Sequence, residues 1–232
     1  MKKLTTILVS AYAINPTKGS EDGTGWNFVC QIARYRQVIA VTRKNNEQDI
    51  VQFMKDHPHP DHKRISFLYF DLPYFLRFWK KGGRGAMLYF LMWQLALPFF
   101  ILKQKISFDV VHNLNFHNDW SPSFLWVLRK PFVWGPVGHH PAVPAEFIRP
   151  VYGFKAWLSD RGKWMVKKLF WTFDPFLKIS KHKADVVLAI NSSVKHKLRL
   201  SSKKLRIMPA VSTESPEVFE TNRKKGFEVI SI

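Results

Sequence analysis

The chain predicts an α/β fold: a doubly wound, mostly parallel sheet of Rossmann-like type. Three observations lead there. Strand-like and helix-like segments alternate along all 232 residues. Runs such as Asp109-Val110-Val111 and Asp185-Val186-Val187-Leu188 are short and apolar on both faces. The first strand passes through a glycine-rich segment directly into a helix. A strand covered by helices on both sides has no solvent face, so it loses the alternation of an antiparallel strand. Repetition of such strands with helices between them builds βα units on one sheet.

Each element follows from its own pattern. The first strand is the run Leu4 to Ser10, which ends before Asn15-Pro16. A glycine loop from Thr17 to Gly25 then leads to a helix from Trp26 to Tyr35. A strand is predicted at Val38–Thr42, a helix near Gln48–Lys55 and a strand at Ile65–Phe70. A long apolar helix covers Ala86–Lys103. Its core, Met87–Leu102, is interrupted by Gln94 and Pro98 and spans roughly 24 Å, short of the ~30 Å hydrocarbon thickness. It is expected in the core, or with its outer face against a bilayer surface. A strand at Asp109–Leu114 precedes a helical stretch at Ser121–Arg129 and a strand at Pro131–Gly135. The remainder is a long basic helix at about Phe154–Lys181, a strand at Val186–Ile190, a helix at Ser193–Leu200 and a strand at Leu205–Met208.

Residues 1–215 are assigned to this one domain. After Pro216 a polar stretch, Glu217–Lys225, leads to Gly226–Ile232, whose alternation and β-branched residues read as a strand beginning. Residues 216–232 are therefore expected to be a linker and the first strand of a C-terminal domain. The alternative is a short last strand at the sheet edge.

The formal net charge is +19. From Arg149 to Arg206 there are 15 basic residues against three acids, Asp160, Asp174 and Asp185. Such a face attracts phosphate, whether on nucleic acid, on anionic head groups or on a charged small substrate. No nucleic-acid-binding module is recognisable, and the aromatics sit in apolar runs rather than between cations. In Lys163–Trp171, cations and aromatics interleave as on an interfacial helix, which favours an anionic membrane surface over nucleic acid. A solvated helix that turns its aromatics inward fits the same pattern. The single cysteine, Cys30, excludes an internal disulfide and a cysteine-based metal cluster. Met1-Lys2-Lys3 leads into a strand rather than a secretory signal, so the expected location is cytoplasmic, at most peripheral on the inner face of the membrane.

Ligands of a doubly wound sheet bind beyond the carboxyl ends of its strands. This singles out the loops 15–25, 113–120, 135–144 and 191–193. In the first, Gly19, Gly23 and Gly25 would present backbone N–H groups at a helix start, although the spacing is neither the dinucleotide fingerprint nor a Walker loop. In the second, Asn115 and above all His117 are placed to donate to a sugar hydroxyl or a phosphate. In the third, Gly138 allows close approach, and His139 and His140 supply imidazoles. Asn191 closes the group. His57, His59 and His62 with Asp61 fall on the edge away from these loops and are not expected to hold a metal. No Asp-x-Asp pair holds a cation against a diphosphate.

Four stretches also carry a resemblance. Gly19-Ser20-Glu21-Asp22-Gly23-Thr24-Gly25-Trp26-Asn27 resembles the first glycine loop of family 4 glycosyltransferases of the two-domain GT-B fold. The likeness extends to Asp109–His112, to Phe132-Val133-Trp134-Gly135-Pro136-Val137-Gly138 and to Asp185–Ser192. It implies the acceptor-side, N-terminal domain of a retaining, metal-independent enzyme with no further cofactor. Such an enzyme transfers a hexose-type sugar from a nucleotide-sugar donor to a glycan or lipid-linked acceptor. It implies substrate contacts at Gly19, Ser20, Glu21, Gly23 and Gly25; His117 is the candidate catalytic histidine by its position beyond a strand's carboxyl end. The family's second domain contacts the donor through a Glu-x7-Glu motif. Glu220 and Glu228 have that spacing, but in a polar linker and an incipient strand, and are read as coincidence. His139-His140-Pro141 replaces the glycines and glutamate common in the family's third loop. Two rival readings stand beside this one: a non-catalytic α/β domain for an anionic ligand, and a nucleic-acid-binding domain resting on charge alone.

Overall fold

The computed structural model describes residues 4–114 and 118–208. Asn115, His117 and the expected linker and strand at 216–232, with Glu220 and Glu228, lie outside the described residues. In order, the elements are β1 (Thr6–Ser10), α1 (Ser20–Ala33), β2 (Gln37–Thr42), α2 (Glu47–Asp56), β3 (Ile65–Tyr69), α3 (Ala86–Lys103) and β4 (Val110–Asn113). They continue with β5 (Phe132–Val137), α4 (Ala145–Phe173), α5 (Pro175–Lys183), β6 (Val186–Ala189), α6 (Ser193–Leu198) and β7 (Leu205–Ile207).

The seven strands form one sheet in the order β3-β2-β1-β4-β5-β6-β7, and every pairing is parallel. This is the doubly wound, Rossmann-like α/β fold that the alternation predicts. Successive residues of a strand point to opposite faces, so β1 feeds two cores. Leu8 joins Trp93, Leu97, Trp134 and Leu177 on the face covered by α3 and α5. Val9 joins Trp26, Val29 and Ile50 on the face covered by α1 and α2. The fully buried Trp93, Leu97 and Ile101 make α3 a structural helix of this domain. It is also the single described helix long and apolar enough, by length and composition, to cross a membrane. Its opposite side leaves Leu88, Leu95, Phe99 and Leu102 exposed.

Four segments differ from their patterns. The predicted glycine loop is mostly helix: α1 begins at Ser20, so Glu21, Gly23 and Gly25 lie within it. Glu21 and Asp22 occupy its first turn, where carboxylates complement the positive end of the dipole. The loop proper is 11–19, held by Asn15, whose Oδ1 accepts from the Thr17 backbone N–H at 2.9 Å and whose Nδ2 donates to Asp49 at 2.6 Å. The helix expected over Ser121–Arg129 contracts to a single 3-10 turn, Leu125–Leu128. The helix expected over Phe154–Lys181 is two. The first is interrupted at Gly153 (φ 79°), and the second is capped by Asp174, whose carboxylate accepts from the N–H groups of Phe176 and Leu177. β5 runs two residues past its expected end, with a shift of register against β6 between Trp134 and Val137.

Cys30 lies on α1, and burial, with a smaller contribution from Asp61, pushes its thiol up to about 12. Thiolate is the reactive form. Iodoacetamide at neutral pH is therefore expected to alkylate the native chain at least about tenfold more slowly than the denatured chain. Mass-spectrometric time courses check this, and equal rates would refute it.

Candidate functional site

Strand order reverses between β1 and β4, the position where an open α/β sheet leaves a crevice. A cavity of about 400 Å³ lies there, lined by Tyr12 after β1, Glu21 and Asp22 in the first turn of α1, Arg43 after β2, Lys80, and Asn118 after β4. Arg43 is fixed twice. Its Nε donates to the Tyr12 carbonyl at 3.1 Å, and its guanidinium carbon sits 4.3 Å from the Tyr12 ring centroid. Phe90 meets the same ring edge-on at 5.0 Å. Burial pushes the Glu21 carboxyl up, and the neighbouring Asp22 adds to the shift. Burial likewise raises the Tyr12 phenol, while Arg43 opposes. The cavity thus offers carboxylate acceptors, guanidinium and ammonium donors, and aromatic faces within a small space. That combination suits a polyhydroxylated ligand.

A second polar group lies beyond β4, β5 and β6. His139 Nδ1 is 2.8 Å from Asp119 Oδ2, with both side chains largely buried. An ionised carboxylate only accepts, so Nδ1 is the donor toward Asp119. Burial pushes the Asp119 carboxyl up, against the opposing pull of His139 and Lys197. The Asn191 amide donates to the His139 carbonyl at 3.0 Å, and its Oδ1 is buried with no partner among the described residues. Trp171 meets the imidazole at 5.4 Å between centroids. The arrangement holds one imidazole in one orientation.

The predicted site residues divide accordingly. Glu21 lines the cavity at the switch point; His139 and Asn191 form the second group. Gly138 is buried at the end of β5, and His140 is exposed. Gly19 caps α1. At Gly23 a Cβ would stand 2.7 Å from the Lys18 carbonyl oxygen, so the missing side chain admits the protein's own backbone. Sequence reasoning did not single out Tyr12, Arg43, Lys80 or Asp119. Asp119 closed the polar run Asn113–Asp119; for the others no local signal exists, because topology alone brings them together. Among the described residues no group of three or more His, Cys, Asp and Glu could hold a metal ion. His62 packs against Trp26 instead, at 5.7 Å.

A third feature is an apolar groove of about 510 Å³ between α3 and the α4–α5 junction, walled by Leu91, Leu95, Phe124, Phe170 and Phe173. Neither the family models nor the curated proteins compared with this chain give a match.

Proposed function

We propose that this chain is the acceptor-side domain of a retaining, metal-independent GT-B glycosyltransferase. It would serve transfer of a sugar from a nucleotide-sugar donor to a glycan or lipid-linked acceptor at the inner face of the membrane. The observation that carries this reading is the cavity at the switch point. Its carboxylates, cations and aromatic faces match the hydroxyls and apolar faces of a sugar, and it occupies the ligand position of the doubly wound sheet. The motif resemblance gives donor binding to a second domain, so the acceptor is the ligand assigned to this one. Asp119, His139 and Asn191 lie on the same edge of the sheet, where an oriented imidazole serves a hydroxyl or a phosphate. His117 keeps the catalytic role that its position in the loop after β4 suggests in the sequence.

Two features support a membrane partner over nucleic acid. The groove between α3 and α4 is almost wholly apolar in its lining. Tyr74, Phe75 and Phe78 are exposed beside Arg77, Lys80 and Lys81, pairing aromatics with cations as an interfacial segment does.

The test is activity of this chain joined to a donor-binding domain, screened across nucleotide-sugars. Glu21→Gln is expected to lower kcat/KM at least tenfold, about 1.4 kcal/mol of transition-state stabilisation, with the melting temperature unchanged. Unaltered turnover would remove the cavity from the active site. Transfer by the 232-residue chain alone would overturn the two-domain reading.

A further inference from the structure

The described residues hold a second concentration of charge, away from the switch point. Lys178 and Lys181 on α5, Lys197 on α6 and Arg199 at its end line one cavity of about 430 Å³, together with Trp171 and Thr172. Among the described residues no carboxylate lines it, and none of the four cations forms an ion pair. Lys181 and Lys197 are half-buried. The Lys197 ammonium lies 3.5 Å from the Trp171 ring centroid, which fixes it at the cavity wall. Burial first, then Arg199 and Lys178, hold Lys181 below the ordinary lysine range. Lys197 is also lowered, by burial and by Lys168, against the opposing pull of Asp119.

A solvated basic face spreads its charges into water, where repulsion is weak. Here four cations converge on a shared hollow, and two of them lose part of their hydration in doing so. The negative ends of α5 and α6 account for cations in their last turns, but not for the convergence of four on one space. A bound anion would relieve it. We infer that this cavity binds a ligand through its phosphate or diphosphate group, with the Arg199 guanidinium and three ammonium groups as donors. The site is distinct from the sugar-binding cavity and does not depend on that assignment.

Isothermal titration of the whole chain with inorganic pyrophosphate tests it. Wild type is expected to bind saturably at one site. Lys181→Gln/Arg199→Gln is expected to weaken binding at least about tenfold. Lys155→Gln/Lys163→Gln removes the same charge from exposed positions of α4 and is expected to change affinity less than about twofold. Lys181→Arg/Arg199→Lys keeps the charge and is expected to keep binding, which separates loss of donors from loss of fold. Equal weakening by the two glutamine pairs would reduce the effect to diffuse charge and overturn the site, as would the absence of saturable binding. Flotation with phosphatidylcholine vesicles containing phosphatidic acid identifies the source of the phosphate. Binding that pyrophosphate displaces, and that the Lys181/Arg199 pair abolishes, assigns it to a lipid head group. Vesicle binding indifferent to both, with pyrophosphate binding intact, assigns it to a soluble ligand.

Discussion

Gly135→Ala is expected to cost about 4 kcal/mol, combining strain at a forbidden backbone angle with overpacking. Gly135 has φ 120°, a conformation that L side chains rarely adopt. A Cβ there would fall inside the contact distance of the Leu188 carbonyl oxygen and stand 3.0 Å from the Val137 nitrogen. Leu188 belongs to β6, which is paired on its other side to β7, so it cannot recede without breaking a second ladder. The Gly135 carbonyl also meets His112 Nε2 at 2.7 Å, and a shift of β5 would disturb that contact as well. Gly19→Ala is the control. Its φ is −79° and nothing lies within 4 Å of the added carbon, so the only change is to a poorer N-cap residue and the cost is expected to stay within about 1 kcal/mol. Denaturant midpoints of the two variants make the comparison. A cost below about 1 kcal/mol at Gly135 would refute the packing described for β5.

His112 gives the second large effect, as a dependence of stability on pH. It lies in β4 with only 5% of its surface exposed. Burial lowers its pKa to about 4, while the hydrogen bond to the Gly135 carbonyl partly opposes. In the unfolded chain the imidazole titrates near its ordinary ~6.5. Between those values the unfolded state binds a proton that the native state refuses, so stability falls as pH falls. The contribution is complete above about pH 6.5 and is lost progressively toward pH 4, reaching roughly 3 kcal/mol at the acid end. His112→Gln keeps an N–H donor for the Gly135 carbonyl and removes the titration. Its unfolding free energy is expected to fall less steeply than wild type between pH 7 and pH 4.5. Parallel curves for the two proteins would refute this assignment.

Much of the fold is legible in the sequence because parallel strands buried on both faces are apolar runs with few competitors. Each observed strand lies within about two residues of its expected bounds, and α3 coincides with its apolar run. Errors arise where one residue type serves two purposes. Gly23 and Gly25 read as loop formers, yet both take helical geometry, and Gly23 is small because the Lys18 carbonyl lies against it. Gly153 falls just before the expected start of the basic helix, which instead begins at Ala145 and continues past it, while Asp174-Pro175 lies inside the expected span and divides it. The candidate site is only half legible. His139 and Asn191 stand out as polar residues directly after apolar strands. Asp119 lies 20 positions from the histidine it orients, and Arg43 lies 31 positions from Tyr12. Those partnerships depend on strand order, which composition and spacing do not contain.

The place of β1 in the sheet has a consequence for how the chain is made. Ile7 pairs with Val38 on one side and with Val110 on the other. During synthesis β2 and β3 emerge early, but β4 arrives only after α3 has been completed. In that interval β1 presents an open row of backbone donors and acceptors, the geometry on which strangers pair. One face of the nascent three-stranded sheet has α1 and α2, while Leu8 and Val41 await the side chains of α3. A ribosome paused between residues 70 and 110 would therefore hold a sticky half-sheet rather than a small stable domain. Protection by a chaperone matters most in that window.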